Sequence, residues 1–180
     1  MRGFTLAEML VVVALLAILA KTLLPALAGS DDHRLGVAAS EVREAMRFAR
    51  AEAMRRGKKA LVDAESAPGR VKVLWLSTSG CGGVGAATAA TDPRTKSVFD
   101  LNVSGGPFSS GVAVTPRFMV AGVPWGGVVF DADGKAADVC QVTGMNSKGP
   151  PEAGSGILLT YANRQVTVAL DVATGRVTVP

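Results

Sequence analysis

The sequence has little of what enzymes use most. It holds one histidine, His33, and two cysteines, Cys81 and Cys140, among 180 residues. That set cannot supply a His-Cys cluster with zinc spacing, and no Ser-His-Asp or Cys-His arrangement stands out. Lysine-carboxylate pairs are the one catalytic chemistry left open. We therefore assign no catalytic residue, no metal and no cofactor, expect no small-molecule substrate, and read His33 as a solvated residue beside Asp31 and Asp32. Charge of one sign is also scarce: the formal net charge is +4, mild for a protein that grips nucleic acid. Apolar residues are plentiful. A hydrophobic content of 48% and a mean hydropathy of +0.31 are high for a purely soluble chain of 18.4 kDa, which has room for one domain and an appendage.

The excess sits at the front. Every residue from Met9 to Ala20 is apolar, and after Lys21 and Thr22 the run resumes as Leu23-Leu24-Pro25-Ala26-Leu27-Ala28. Counted from Phe4, this is about the ~20 residues a helix needs to cross a bilayer, so the segment is expected to meet a membrane. Glu8 stands at its mouth. A carboxylate at the hydrocarbon edge costs at least about 2 kcal/mol unless it finds a partner. Three readings compete. A secretory signal peptide would end at Ala26-Leu27-Ala28 and release the chain from Gly29, but its only leading positive charge is Arg2 and Lys21 interrupts its core. A plain single-pass anchor puts Arg2 on the cytoplasmic side and leaves Glu8 unexplained. A cut between Gly3 and Phe4 instead creates an α-amino group one helical turn from Glu8, and in an assembly that amine can pair with Glu8 of a neighbour.

The string G-F-T-L-A-E, followed by M-L-V-V-V-A-L-L-A-I-L-A and then Pro25, resembles the class III signal of type IV pilins and type II secretion pseudopilins. The resemblance implies that a prepilin peptidase cleaves after Gly3 and N-methylates Phe4, with residues 1–3 a leader and 4–28 a transmembrane and assembly helix. Glu8 then serves subunit pairing. It also implies a single-pass protein of the bacterial inner membrane with its head in the periplasm, whose partners are the peptidase and the other pilins or pseudopilins of a filament.

Pro25 should kink the helix, and Gly29-Ser30-Asp31-Asp32 could cap a restart. From there Leu35, Ala38, Val42, Ala45, Met46, Ala49 and Ala53 recur at steps of three and four, the mark of one buried face. Glu41, Arg43, Glu44, Arg47, Arg50, Glu52, Arg55 and Arg56 occupy the other side, which reads as a solvated charged face. Gly57 reads as the stop of an amphipathic helix over 29–57. Continuous from Phe4, the helix would be about 80 Å long. Beyond it the period becomes that of strands: 59–63, 70–76, 97–103, 111–120, 127–130, 139–143, 157–161, 165–171 and 176–179, with turns at 131–134, 161–164 and 173–175. The expected fold class is α+β, a long N-terminal helix packed on an antiparallel β-sheet head over 58–180. Ala49-Arg50-Ala51-Glu52-Ala53 and the late strings V-V-F-D-A-D-G, I-L-L-T, R-Q-V-T-V and T-G-R-V-T-V resemble the GspH/FimT group of minor pseudopilins and pilins. Residues from roughly Ser77 to Gly126 lie outside that resemblance.

Within that stretch, Gly80-Cys81-Gly82-Gly83-Val84-Gly85 spells a dinucleotide-binding fingerprint. The fingerprint requires a helix to open on those glycines, and Pro93 stops the segment too soon, so we read a flexible surface loop. Cys81 and Cys140 are expected to bond in a periplasmic head, closing a loop of roughly 60 residues; two unpaired thiols are the alternative. Some FimT-type minor pilins bind DNA through two arginines separated by one residue after a glycine. Here Gly175-Arg176-Val177-Thr178 keeps the first and lacks the second. DNA binding through Arg164 and Arg176 is therefore the disfavoured alternative, attached to a FimT-like minor pilin of a type IV pilus. The favoured reading is a minor pseudopilin of a type II secretion pseudopilus, a structural subunit and not an enzyme.

Overall fold

The computed structural model describes residues 6, 8–16, 31–76, 87–137 and 149–180. Residues 8–16 are helical (α1), and a second helix, α2, runs Asp31–Arg56 over 26 residues. Among the described residues eleven strands follow: β1 (Ala60–Asp63), β2 (Arg70–Trp75), β3 (Thr88–Ala89), β4 (Asp100–Asn102), β5 (Ala113–Val120), β6 (Val123–Trp125), β7 (Gly127–Phe130), β8 (Ala136–Ala137), β9 (Gly156–Tyr161), β10 (Arg164–Asp171) and β11 (Arg176–Thr178).

Local chemistry sets both ends of α2. Asp31 and Asp32 occupy its first turn and Arg55 and Arg56 its last, each favourable to the helix dipole. Gly57 then takes φ +62°, and the Lys58 amide donates to the Ala53 carbonyl at 3.2 Å, a Schellman closure that needs the left-handed conformation glycine tolerates. All seven residues expected on the inner face are buried, together with Ala39. Most are alanine, so strands can approach the helix axis closely, while Leu35 and Met46 fill the gaps.

The strands form two sheets against that face, and every pairing is antiparallel. In the first, the order is β3-β2-β1-β7-β8, with β4 beside β2. In the second it is β11-β10-β9-β5-β6. One core joins both sheets to the helix: Val62, Val71, Val73, Val128 and Phe130 from the first, Phe118, Ile157, Leu159 and Val168 from the second. The fold is thus the expected α+β class, a helix packed with an antiparallel head.

The differences are local. The strand expected over 97–103 shrinks to Asp100–Asn102, preceded by an isolated bridge between Thr91 and Val98. β3, β6 and β8 were not expected. They are two or three residues long, too short to show an alternating pattern. β6 returns from β5 through Ala121 (φ +49°) and Gly122 (φ +76°), a two-residue primed turn. The expected strand 139–143 and the loop 80–85 lie outside the described residues.

Candidate functional site

Glu8 lies in α1 and is exposed. Behind it Met9, Leu10, Val11, Val12, Val13, Leu15 and Leu16 are all between 48% and 64% exposed. Apolar side chains left on every side of a helix require lipid or other helices around them. Among the described residues no helix is long and apolar enough to cross a membrane.

The two solvent-facing flanks of α2 carry opposite charge. On one, Glu41, Glu44, Ala45 and Phe48 form a groove of about 480 Å³ with the segment Asp92–Leu101. Phe48 and Phe99 stack in it with ring centroids 4.7 Å apart and planes 8° apart, and Val98 lies open at 59% exposure. Asp92 and Asp100 complete an acidic rim with Glu41 and Glu44, and Arg94 is the basic residue lining the groove with them, while Lys96 of the same segment stands outside the lining. The rim is built. The Ser109 hydroxyl donates to Glu41 at 3.2 Å, and Arg70 binds Asp100 at 2.9 Å. The Arg94 amide reaches Asp92 at 2.7 Å; that hydrogen bond first, and those of Thr95 after it, hold the Asp92 carboxyl below its ordinary range.

On the other flank Arg47, Arg50, Ala51 and Met54 face Asp171, Thr174, Arg176 and Val177. Arg50 is a clamp. Its Nε donates to the Gly134 carbonyl at 2.8 Å and its Nη2 to the Thr174 carbonyl at 3.0 Å, joining the β7–β8 turn of one sheet to the β10–β11 turn of the other. The Thr174 hydroxyl, then the amides of Thr174 and Ala173 and the charge of Arg176, keep the Asp171 carboxyl below its ordinary range against the opposing effect of burial. At the end of this helix Glu52 binds Arg55 at 2.6 Å and Arg56 at 2.8 Å, while the Arg56 guanidinium lies 4.5 Å from the Trp75 ring centroid.

Against this frame of charge, residues 1–20 match the family model described as the prokaryotic N-terminal methylation motif. The chain carries a prepilin-type signal. A comparison with curated proteins finds no match. Among solved structures, the type IV minor pilin FimU of Pseudomonas aeruginosa is similar at 14% identity and a TM-score of 0.44, covering 83% of this chain and 90% of that one.

The methylation motif spans Gly3, Phe4 and Glu8. Gly3, Phe4, Pro25, Cys81 and Cys140 lie outside the described residues. The structure does not bring Arg164 and Arg176 together. Arg164 pairs with Asp32 in the first turn of α2, whereas Arg176 lies beside Arg50, which is 18 residues further along the helix or about 27 Å. Arg176 joins Arg47 and Arg50 instead. That grouping was hidden in sequence because the three arginines come from two distant segments. The acidic groove was hidden for the same reason, though the i, i+3, i+7 spacing of Glu41, Glu44 and Phe48 places them on one flank.

Proposed function

We propose that the chain is a minor pilin-like structural subunit, cut after Gly3, N-methylated at Phe4 and assembled through its N-terminal helix into a filament anchored in the bacterial inner membrane, with residues 58–180 as a periplasmic head on the amphipathic helix 29–57. The observation that carries the reading is the methylation motif over residues 1–20. It unites a cleavable glycine, a methylatable phenylalanine and an acid at the mouth of an apolar helix. The uncovered apolar surface of α1 supports it, because such a surface is stable only among lipids or other helices. Glu8 takes the methylated amine of an incoming subunit, and the pair fixes the axial offset between helices. Its partners are the prepilin peptidase and the other subunits of the filament.

Of the two machines that use this signal, we favour the type II secretion pseudopilus over the type IV pilus. DNA capture is the second reading, supported by the three arginines grouped on one flank of α2 and weakened by the pairing of Arg164 with Asp32.

The intact mass of the membrane-extracted protein, from cells with and without the prepilin peptidase, tests the assignment. A methylated Phe4 terminus present only with the peptidase is expected. A terminus at Gly29 in both strains would mean a released soluble domain and no assembly.

A further inference from the structure

We infer that the acidic groove on one flank of α2 receives the arginine-bearing flank of α2 from a second copy of this chain, in a head-to-tail contact. The inference deepens the reading as an assembling subunit and rests on it.

Four carboxylates and one arginine line the groove, of which Asp100 is already paired with Arg70, leaving Glu41, Glu44 and Asp92 against Arg94, and three arginines and one carboxylate line the opposite flank. The two faces are complementary in sign. They cannot neutralise one another within a molecule, because both belong to one rigid helix: the groove-lining positions 41, 44, 45 and 48 and the flank positions 47, 50, 51 and 54 are centred about 120° apart around its axis. A second molecule can bring them together. The apolar content matches too. The groove floor offers the stacked rings of Phe48 and Phe99 with Val98 at its edge, and the arginine flank presents Met54 at 43% exposure. A thioether is flexible enough to settle against aromatic edges and is attracted to them.

Two different surfaces meeting in this way make a heterologous contact, which leaves a free groove at one end and a free arginine flank at the other. Those free ends stay open to the other subunits of the filament. The flank positions are centred six residues beyond the groove positions on α2, so neighbouring helices would be staggered by about 9 Å. The groove is small, so the contact is weak in dilute solution. It becomes effective when membrane insertion confines the chains and raises their effective concentration.

The test uses the complete chain in the membranes of cells that express it, with the substitution Val98→p-benzoylphenylalanine as a photoreactive probe. Irradiation is expected to give a dimer adduct, with the cross-linked peptide containing Ala51 to Met54. Glu44→Arg and Arg47→Glu, both at exposed positions, should each lower the adduct yield at least fivefold. Co-expressing the two chains, with the probe on the Arg47→Glu chain, should restore it, because one keeps its groove and the other its arginine flank. If either reversal weakens protease resistance, the neutral variants Glu44→Gln and Arg47→Gln replace them, with at least a twofold loss expected. Yields that ignore charge, or adducts only to other proteins or to another face, overturn the contact. The mass of each band also reads the N-terminus: a methylated Phe4 without the adduct sinks only this contact, and a Gly29 terminus sinks the assembling reading itself.

Discussion

At the scale of single residues, the charged side of α2 divides into groups with separate work. Arg50 ties two carbonyls from two sheets, and its removal leaves both without that donor. Hydrogen bonds to a charged group are worth about 1.5–3 kcal/mol, discounted here because Arg50 is only half-buried. Arg50→Ala should therefore lower stability by about 1–2 kcal/mol, read as a shift in the urea midpoint of the detergent-solubilised chain at unchanged slope. Arg50→Lys should recover less than half, since one ammonium cannot span the two carbonyls as a planar fork does. Glu52 is the pH-sensitive member. The Arg55 hydrogen bond first, against burial and with help from Arg56, depresses its carboxyl pKa. A depressed pKa gives stability that is present above the unfolded value, about 4.3, and lost as pH falls through the lower folded value. The wild type should therefore lose up to ~1 kcal/mol more than Glu52→Gln as pH falls below about 4.5, as expected for a solvent-screened pair. Parallel urea curves for the two proteins across that range would sink the assignment.

At the scale of elements, the glycines separate positions under constraint from positions that are free. Gly156 in β9 lies between β5 and β10, and a Cβ there would meet the Val168 carbonyl oxygen. Gly36 lies within α2, exposed, with nothing near where its Cβ would stand. Gly156→Ala should cost about 1–3 kcal/mol, because the obstacle is backbone and cannot turn aside. Gly36→Ala should stabilise by about 0.5–1 kcal/mol through helix propensity alone. Thermal unfolding of the two variants in the same detergent checks the opposite signs. This contrast also bears on what sequence could convey. The inner face of α2, its Gly57 stop and the later hairpins were legible, because spacing and turn residues act within a few positions of chain. Ala162 and Gly175 take φ of +50° and +68° at the turns expected over 161–164 and 173–175. The division into two sheets was not legible, nor was the meeting of their turns at Gly134 and Gly175 beneath Arg50. Those depend on register and packing between segments that sequence spacing does not relate. The N-terminal methylation motif over residues 1–20 was legible too, since its carboxylate before an unbroken apolar run breaks a local rule.

At the scale of the whole molecule, the question is what a modest positive charge can hold. The net charge is +4, or +3 on the proposed reading in which Arg2 leaves with a leader, and one flank of α2 offers Arg47, Arg50 and Arg176 beside Asp171. Each phosphate neutralised on duplex DNA contributes about −0.9 to the slope of log K against log salt. Three arginines therefore set a limit near −2.7, equivalent to about a 40-fold loss of affinity between 50 and 200 mM salt. Arg50 is engaged with two backbone carbonyls, which brings the expected slope closer to −2. The complete chain in detergent should thus retard a short duplex in a gel at low salt and release it near physiological salt. Arg176→Ala should flatten the slope by about one unit if this flank is the contact. A slope steeper than about −5 that survives Arg176→Ala would require phosphate contacts elsewhere on the head, and the DNA-receptor reading would then overtake the structural one. A shallow slope carried by Arg47 and Arg176 agrees instead with a surface made to face carboxylates, such as the four that line the acidic groove of a neighbouring copy.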